Sequence, residues 1–382
     1  MKVLYIIHSC KMGGATISFF NLVKGMVEKG TEVVVVHPII SDSECIIDRL
    51  KGLGVECYSA NVVSSYNYKG KFFFITLLRP FFIFFLKIRF YVELNKIIKK
   101  ENPDIIHTNT GVVQEGFFIA KRLGIPHVWH LREYQTKDFG WKPLPSLKRF
   151  KELVSRSFTI SITKDIQSYF KLENNKKSFV IYNPVYSKDE IQIGNYSENY
   201  FLVANRVSKE KGIEDIIKAF SLFIKQNTSF VLKIAGFGDE EYIKALKTEC
   251  KNLNILDKVQ FLGYTDGVKD LLLHTKALIV GSYSEGFGRM TAEANMLSVP
   301  VLGRNTAGTK EILNQTNGGW LFNNIEELKD KMEFVSKMSL CGIASFMIEP
   351  AHKALNLFCN EQHIDNILKL YKFILNTTKN DF

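Results

Sequence analysis

Short apolar runs rich in β-branched residues alternate along the chain with amphipathic stretches. In the first half the apolar runs span residues 2–7, 32–37, 104–107, 127–130, 158–162 and 178–181. Each run is short enough to form a buried strand, and intervening segments such as 17–29 have helical periodicity. This alternation predicts an α/β domain with a doubly wound parallel sheet.

The same pattern begins again after a polar, turn-rich stretch at 183–199. The apolar runs of the second half span residues 200–204, 230–234, 259–261, 277–280 and 299–302. A chain of 382 residues also exceeds the usual size of one hydrophobic core. The sequence therefore predicts two Rossmann-like domains, 1–190 and 191–360, that face each other across a ligand-binding cleft. The closing segment, 361–378, has the apolar stripe of a helix, and we expect it to pack back on the first domain.

One segment, residues 69–100, departs from this rhythm. It has eight basic residues and one acidic residue around two aromatic-rich blocks, which Arg79 and Pro80 separate. Neither block approaches the roughly 20 apolar residues that span a bilayer. Two interpretations stay open: an amphipathic segment that lies on an anionic membrane surface, or a core helix on the first sheet with a solvated basic edge.

The net charge of +11 favours an anionic partner, which can be nucleic acid, an anionic membrane or a phosphorylated substrate. The chain has no RNP-like aromatic motif, helix-turn-helix glycine pattern or zinc finger, so nucleic acid is disfavoured. Its first residues lack the apolar core of a signal peptide, and its six cysteines are widely spaced. We therefore expect free thiols and a cytoplasmic location.

The stretch SYSEGFGRMTAEANMLSVPVLG, residues 282–303, combines a glycine-rich loop with the start of a predicted helix. Gly286, Phe287 and Gly288 follow a predicted strand, and the helix begins near Arg289. Glycine allows a ligand to approach the backbone closely, and the first turn of a helix attracts phosphate. This loop is therefore a candidate anion-binding site.

Two carboxylates, Glu285 and Glu293, flank that loop. Carboxylates accept hydrogen bonds from vicinal hydroxyl groups, so a polyol beside a phosphate, as in a nucleotide sugar, suits the pair. Glycoside hydrolysis also uses paired carboxylates, but it is disfavoured because both acids lie on one loop-helix unit. An incidental pair of acids stays open as the third interpretation.

With eight further motifs in order, this stretch resembles the retaining family 4 glycosyltransferases of the GT-B fold. The motifs are GGA (13–15), PDIIHTNT (103–110), HVWHLREY (127–134), VIYNPV (180–185), ANRVSKEKG (204–212), KIAGFGDEE (233–241), FLGYTDGVKDLL (261–272) and AGTKEI (307–312). The resemblance covers nearly the whole chain. Asn295, Ser298 and Ala307 depart from it, since relatives often have methionine, glycine and glycine there.

The resemblance implies roles for individual residues in both domains. In the second domain, Arg206 and Lys211 would bind the diphosphate leaving group, with a solvated basic loop as the alternative, and the catalytic-site residue Glu285 would accept hydrogen bonds from donor hydroxyl groups. In the first domain, His130 would reach the transferred sugar, although a structural histidine is the alternative. The remaining donor-site residues would be Gly13, Gly14, Gly236, Gly286, Phe287, Gly288 and Glu293, and the acceptor side would include Asn109, Arg132 and Glu133.

The implied activity is transfer of a hexose from a UDP- or GDP-sugar to a glycan acceptor with retention of configuration and without a metal or cofactor. A lipid-linked acceptor, capsule or O-antigen assembly and the inner face of the plasma membrane are the expected context. The rival enzymes are a GT-B nucleotide-sugar epimerase and a sugar phosphorylase. The rival from another class is a non-catalytic nucleotide-binding subunit of a membrane glycosylation complex.

Overall fold

Alternating strands and helices run through almost the entire chain. The computed structural model describes residues 1–11, 14–39, 46–67, 73–140 and 142–380. Gly13 and residues 69–72 lie outside this set, and so do the side chains of residues 73–82. The chain divides into two units, which we call the first unit (Met1–Pro184 with Asn360–Phe382) and the second unit (Val185–Cys359).

The described elements follow each other in a regular order. The strands are β1 (Lys2–Ile6), β2 (Glu32–Pro38), β3 (Glu56–Ala60), β4 (Tyr66–Asn67), β5 (Ile105–Thr108), β6 (His127–Leu131), β7 (Lys142–Pro143), β8 (Phe158–Ser161), β9 (Ser178–Val180), β10 (Tyr200–Ala204), β11 (Val231–Ala235), β12 (Val259–Gly263), β13 (Ala277–Val280), β14 (Val301–Arg304) and β15 (Gly319–Phe322). The helices are α1 (Gly14–Glu28), α2 (Ile47–Lys51), α3 (Phe73–Glu101), α4 (Glu115–Leu123), α5 (Thr136–Phe139), α6 (Leu147–Val154), α7 (Lys164–Tyr169), α8 (Ile213–Phe223), α9 (Glu240–Asn252), α10 (Val268–His274), α11 (Arg289–Met296), α12 (Ala307–Thr316), α13 (Ile325–Ser336), α14 (Leu340–Phe358) and α15 (Asn360–Asn380).

Each unit contains one open parallel sheet. In the first unit the strand order is β3-β2-β1-β5-β6-β8-β9, and in the second it is β12-β11-β10-β13-β14-β15. The central strands of both sheets are buried on both faces, as their continuous apolar sequences require. These sheets with their flanking helices confirm the predicted α/β class with two doubly wound units.

Three differences separate the predicted elements from those observed. The strands β3 and β15 were not predicted: each lies at a sheet edge and is only partly buried, β3 (ECYSA) contains polar positions, and β15 (GWLF) is only four residues long. The short antiparallel pair β4 and β7 was also missed. The helix α3 passes through Arg79 and Pro80, which were expected to separate its two aromatic blocks.

The closing helix α15 packs in the first unit. Its residues Ile364, Ile367 and Tyr371 belong to the same core cluster as residues of α1 and β1. The two helices approach closely, since a Cβ on Gly25 of α1 would lie 1.9 Å from Cδ1 of Ile364. Across the residues that the structure describes, no helix is both long enough and apolar enough to cross a bilayer.

Candidate active site

The strand order of the second sheet places two loops side by side. The chain leaves β10 toward β11 and β12, then returns on the opposite side of β10 with β13. Open α/β sheets bind ligands at such a reversal, outside the carboxyl ends of the strands. The loops at this point are residues 205–212 and 281–288, and they contain Arg206, Lys211 and Glu285. Sheet topology therefore brings together candidate residues that are distant in sequence.

An ion pair joins these two loops. The Nζ of Lys211 donates to Oε2 of Glu285 at 2.8 Å, and both side chains are less than a quarter exposed, at 18% and 23%. Arg206 differs because its side chain is 55% exposed and its guanidinium lies 4.0 Å from the Glu210 carboxylate. Lys211 is thus held in place by the protein, whereas Arg206 is accessible to an anionic ligand.

Two glycines let the backbone segments around this ion pair approach each other. Gly212 has a φ of +62°, and a Cβ there would lie 2.3 Å from the carbonyl oxygen of Gly281. Gly236 follows β11 with a φ of +142°, and a Cβ there would lie 1.8 Å from the carbonyl oxygen of Asn205. A side chain at either position would meet rigid backbone, so glycine is required at both. Gly236 therefore supports the loop that carries Arg206.

The glycine-aromatic loop leads directly into α11, as predicted from the sequence. It contains Glu285, Gly286, Phe287 and Gly288. Gly288 has a φ of +88° immediately before α11, and the buried Phe287 ring packs edge-on against Phe358 with ring centroids 5.8 Å apart. The start of α12 also supports the loop, because the backbone N–H of Gly308 donates to the carbonyl oxygen of Glu285 at 2.9 Å. The loop is thus fixed from both sides.

Glu293 is a buried carboxylate within α11. Arg289, one turn earlier, donates from Nε to Oε1 of Glu293 at 2.7 Å, and the Tyr186 hydroxyl also hydrogen-bonds to this carboxylate. Burial raises the pKa of Glu293 above its usual value, while the charge and hydrogen bond of Arg289 act in the opposite direction. A ligand hydroxyl that binds Glu293 must therefore join or replace these protein partners.

Arg304, at the end of β14, organises the site but was not singled out from the sequence. Its Nε donates to the carbonyl oxygen of Gly281 at 2.8 Å, and its Nη2 lies 2.6 Å from Oδ2 of Asp215. The Tyr283 hydroxyl donates to the same Asp215 oxygen at 2.8 Å. The sequence signal that could have identified Arg304 was an arginine at the end of a strand that was predicted to be buried. A buried cation needs hydrogen-bond or ionic partners.

In the first unit the chain reverses between β1 and β5. Gly14 begins α1, which follows β1, and Asn109 directly follows β5. Arg132, just after the neighbouring strand β6, donates to Oδ1 of Asn109 from Nη2 at 2.8 Å and to Oδ1 of Asn183 from Nη1 at 2.6 Å. Burial lowers the pKa of Arg132 to about 10, so its guanidinium is charged at neutral pH. Arg132 and Asn109 are thus in direct contact.

His130 is fully buried on β6. Its Nδ1 lies 3.2 Å from Nε2 of His107 on β5. Burial holds the pKa of His130 well below its usual value, and the charge of Arg132 acts in the same direction, so the imidazole is neutral. Glu133 accepts a hydrogen bond from the Thr110 hydroxyl at 3.1 Å, and burial raises the pKa of its carboxyl group.

The described part of α3 and its neighbour α4 form an apolar groove in the first unit. The groove encloses about 500 Å³ and is lined by Phe84, Ile88 and Phe118 among others. These three side chains are exposed large hydrophobic groups. One ion pair lies in it, with Nζ of Lys87 3.1 Å from Oε1 of the buried Glu115. The exposed groove fits the membrane interpretation of 69–100. Other α3 residues such as Phe90 pack in the core, which fits the core-helix interpretation.

Two family models match the chain in succession. The model described as Glycosyltransferase Family 4 matches residues 12–187, and the model described as Glycosyl transferases group 1 matches residues 188–347. The chain belongs to the family 4 glycosyltransferases. The candidate donor loops 205–212 and 281–288 of this glycosyltransferase both fall within the second match.

Curated relatives of this family 4 glycosyltransferase are distant. The N-acetyl-alpha-D-glucosaminyl L-malate synthase of Bacillus anthracis is 25% identical over 245 residues, which are 60% of this chain and 64% of that protein. The alpha-monoglucosyldiacylglycerol synthase of Streptococcus pneumoniae is 26% identical over 280 residues, which are 64% of this chain and 62% of that protein. The chain thus spans less than two thirds of the length of either relative.

Solved structures share the fold of this family 4 glycosyltransferase over nearly its full length. The Anabaena protein Alr3699/HepE in complex with UDP has a TM-score of 0.75 at 19% identity and covers 98% of this chain and 100% of its own. TarM of S. aureus, in a complex that includes UDP, has a TM-score of 0.70 at 14% identity and covers 97% of this chain and 99% of its own. These likenesses confirm the predicted GT-B fold.

Proposed function

We propose that this protein transfers a hexose from a UDP- or GDP-sugar to a glycan acceptor with retention of anomeric configuration. The ion pair between Lys211 and Glu285 carries the proposal, because it fixes a cation and a carboxylate at the reversal of the second sheet. Such a reversal is where α/β folds bind nucleotides. The UDP in the Alr3699/HepE complex supports a nucleotide donor for this fold.

In this proposal the donor diphosphate binds Arg206, Lys211 and the N-terminal end of α11. Cations and a helix N-terminus offset the negative charge that develops on the leaving diphosphate as the glycosidic bond breaks. Glu285 and Glu293 accept hydrogen bonds from hydroxyl groups of the donor. Gly14, Gly236 and Gly286 to Gly288 allow close approach of the backbone.

Retention is proposed to occur by attack on the face that the leaving group occupies. The acceptor hydroxyl bonds to the anomeric carbon as the bond to the diphosphate breaks, and the departing phosphate oxygen takes the hydroxyl proton. This route requires neither an enzyme nucleophile nor a cofactor. We further propose that the diphosphate needs no metal ion, because Arg206 and Lys211 supply the positive charge.

The first unit is proposed to bind the acceptor and the transferred sugar. His130 would contact the sugar, while Asn109, Arg132 and Glu133 would define the acceptor side. The groove of α3 and α4 suits a hydrocarbon chain, since it is apolar, accessible and close to the basic residues of α3. We therefore propose a lipid-linked acceptor, an anionic membrane surface as a second partner, and a role in surface polysaccharide synthesis at the inner face of the plasma membrane.

Turnover with separated products tests this function. The protein is incubated with UDP- and GDP-sugars, with and without lipid-linked glycan extracts, and the nucleotide, free sugar and glycan products are quantified. The proposal predicts nucleotide diphosphate release coupled to an extended glycan. Sugar epimers without a glycan product, sugar phosphate formed only with inorganic phosphate, or binding without turnover would each contradict it.

Two matched variants test whether turnover depends on the Lys211–Glu285 ion pair. Glu285→Gln removes the charge that positions Lys211, so it should lower kcat by about 100-fold, the usual effect of losing one preorganised electrostatic partner. Glu210→Gln, an exposed position on the loop that carries Lys211, should stay close to the wild type. Equal losses in both variants would contradict the assignment.

A further inference from the structure

A cavity of about 240 Å³ lies at the edge of the first sheet that is opposite the candidate active site. Its wall includes His127, the first residue of β6, Ser157, which directly precedes β8, and Lys177, which directly precedes β9. Asn109 and Arg132 instead follow the carboxyl ends of β5 and β6. Because these strands are parallel, the two groups of residues lie at opposite edges of the sheet. The cavity is therefore separate from the site described above.

Three cationic side chains surround this cavity. They are Lys121 on α4, Arg156 before β8 and Lys177 before β9, and all three residues are exposed. Within the described part of the chain, none of these cations forms a hydrogen bond or an ion pair. Nζ of Lys177 lies 5.4 Å from the centroid of the Phe158 ring, a cation–π contact that leaves its N–H groups available. The described lining contains no acidic residue, so the cavity favours an anionic ligand.

The floor of the cavity is satisfied by the protein itself. The Ser157 hydroxyl donates to the carbonyl oxygen of His127 at 2.7 Å, so Nδ1 of His127 donates to Ser157 Oγ at 2.9 Å. Nε2 of His127 then accepts from the Thr108 hydroxyl at 2.8 Å. Burial lowers the pKa of His127 to about 3, so the ring is neutral at neutral pH. A ligand would therefore contact the charged walls and leave this histidine unchanged.

The backbone segments that carry two of the cations are joined to each other. The Asn175 side chain donates from Nδ2 to the carbonyl oxygen of Ser155 at 2.8 Å, and its Oδ1 accepts from the backbone N–H of Lys177 at 2.9 Å. Ser155 directly precedes Arg156. Asn175 thus fixes the spacing of the two segments before any ligand binds, which lowers the cost of binding.

A phosphate group suits this arrangement better than a carboxylate does. A phosphate monoester has a charge of up to −2 and several terminal oxygens, so it can accept from an arginine fork and from two ammonium groups together. A carboxylate has a single charge and fewer oxygens to share among three cations. The cavity is also smaller than most ligand pockets, whose volumes start at about 300 Å³. A compact compound with one phosphate group therefore fits it better than a nucleotide sugar does.

We propose that Lys121, Arg156 and Lys177 bind a phosphate monoester in this cavity, at the amino ends of β6, β8 and β9. The site is additional to the proposed donor and acceptor sites, and the proposal does not depend on the transfer reaction. The phosphate can belong to a small soluble compound or to the headgroup of a lipid, which share this chemistry.

Isothermal titration calorimetry of the full chain with inorganic phosphate and glucose 6-phosphate tests the site. Arg156→Gln with Lys177→Gln should raise the Kd of a bound probe about tenfold, because it removes two exposed charge contacts. Lys96→Gln with Lys148→Gln removes the same charge from exposed positions of α3 and α6 and should leave the Kd close to that of the wild type. Arg206→Ala should also retain the binding. Equal weakening by both double variants, or loss of binding in Arg206→Ala, would overturn the proposal.

Lysine acetylation read by mass spectrometry locates the bound phosphate directly. Relative to chloride at equal ionic strength, inorganic phosphate should slow the acetylation of Lys121 and Lys177 and leave Lys96 and Lys148 unchanged. All four residues are exposed, so they react without unfolding. Equal slowing at all four lysines would indicate general screening and would overturn the site.

Further probes distinguish the two sources of phosphate. Binding of glucose 6-phosphate that depends on Arg156 and Lys177 would assign the site to a soluble compound. Tighter binding to vesicles with phosphatidic acid, a monoester, than to vesicles with phosphatidylglycerol, a diester, would assign it to a lipid headgroup if the double variant loses this difference. Acetate binding as tightly as phosphate would overturn the phosphate class. Failure of every phosphate probe would overturn the site, whereas the proposed transferase function is judged separately from turnover.

Discussion

At the scale of single residues, two positions show how this chain departs from its family. Ser298 follows α11 with a φ of +62°, and Ala307 begins α12 with a φ of +44°. The family resemblance places glycine at both positions, and glycine adopts positive φ without steric cost. The backbone therefore keeps a conformation suited to glycine, while this sequence has residues that are strained in it.

Restoring glycine at these positions should stabilise the second unit. Ser298→Gly and Ala307→Gly each relieve a left-handed backbone conformation, and we expect a gain of up to about 1 kcal/mol apiece in the free energy of unfolding. Ala245→Gly, at an exposed position in the interior of α9, is the control of opposite sign, with an expected loss of about 1 kcal/mol. Urea denaturation measures all three. Loss of stability in both restored variants would show that side-chain contacts outweigh the strain.

At the scale of elements, the sequence predicted the functional loop but not the residues from other segments that contact it. The sequence SEGFG between a strand and a helix identified residues 284–288 as an anion-binding candidate, and α11 does begin at Arg289. The pairing of Lys211 with Glu285 depends on the strand order, which no local pattern encodes. The role of Arg304 depends on contacts with Gly281 and Asp215 from two other segments. Local chemistry was therefore visible in the sequence, and its tertiary partners were not.

The exposed face of α3 makes a testable surface element. Phe84 and Phe85 are 60% and 68% exposed on this helix. Inserting two phenylalanine rings into the membrane interface stabilises binding by about 1.5 to 3 kcal/mol each, so Phe84→Asp with Phe85→Asp should abolish co-sedimentation with vesicles rich in phosphatidylglycerol. Salt should weaken the binding of the wild type, because basic residues contribute.

A matched substitution on the second unit controls for the added charge. Ile348 on α14 is 71% exposed, and Ile348→Asp should leave vesicle binding intact. If the double variant sediments as well as the wild type, the membrane interpretation of this helix is wrong. Both variants should have wild-type thermal stability, since their side chains face solvent.

At the scale of the whole molecule, the two units differ in their buried histidines. The first unit buries His107, His127, His130 and His363, and burial is the largest cause that lowers the pKa of each, to about 3 for His127 and His363. Below pH about 6.5 the unfolded chain binds protons that the folded unit does not. Each histidine then lowers stability by about 1.4 kcal/mol per pH unit as the pH falls. Glu133 opposes this loss of stability, because its raised pKa lets the folded unit bind a proton at a higher pH than the unfolded chain does. It is one group against four histidines.

We therefore expect the first unit to unfold at a higher pH than the second during acidification. The second unit has His274 and His352, and neither is buried. Two variants report on the units separately. One keeps only Trp129 and reports on the first unit, and the other keeps only Trp320 and reports on the second unit. Fluorescence during titration from pH 7 to pH 4 should change first for Trp129. Simultaneous transitions, or an earlier change for Trp320, would contradict this assignment.

The presence of two α/β units was predictable from the sequence, whereas a polar network inside the first unit was not. The repeated strand-helix pattern predicted two α/β units, because buried parallel strands need continuous apolar runs such as that of β1. The polar contacts that join Tyr5, Tyr371, His107 and His130 were not predictable from the sequence, because these residues lie on four elements and Tyr371 comes from α15. In the sequence only His130 was singled out, while Tyr5, His107 and Tyr371 look like ordinary residues of buried strands and of a helical stripe. Only their distances reveal a polar network.

A nucleotide-binding measurement tests the central claim most directly. Thermal unfolding of the purified protein is recorded with UDP, GDP, ADP and their common sugar conjugates, and in parallel for Arg206→Ala, Glu293→Ala and the control Lys209→Ala, which changes an exposed lysine of the same loop. We predict that one nucleotide family at 100 times Kd stabilises the wild type and the control by about 2.7 kcal/mol and so raises their Tm, and that it has little effect on the other two variants. A folded wild type that no nucleotide stabilises, or equal stabilisation of all four proteins, would contradict a donor site on loops 205–212 and 281–288.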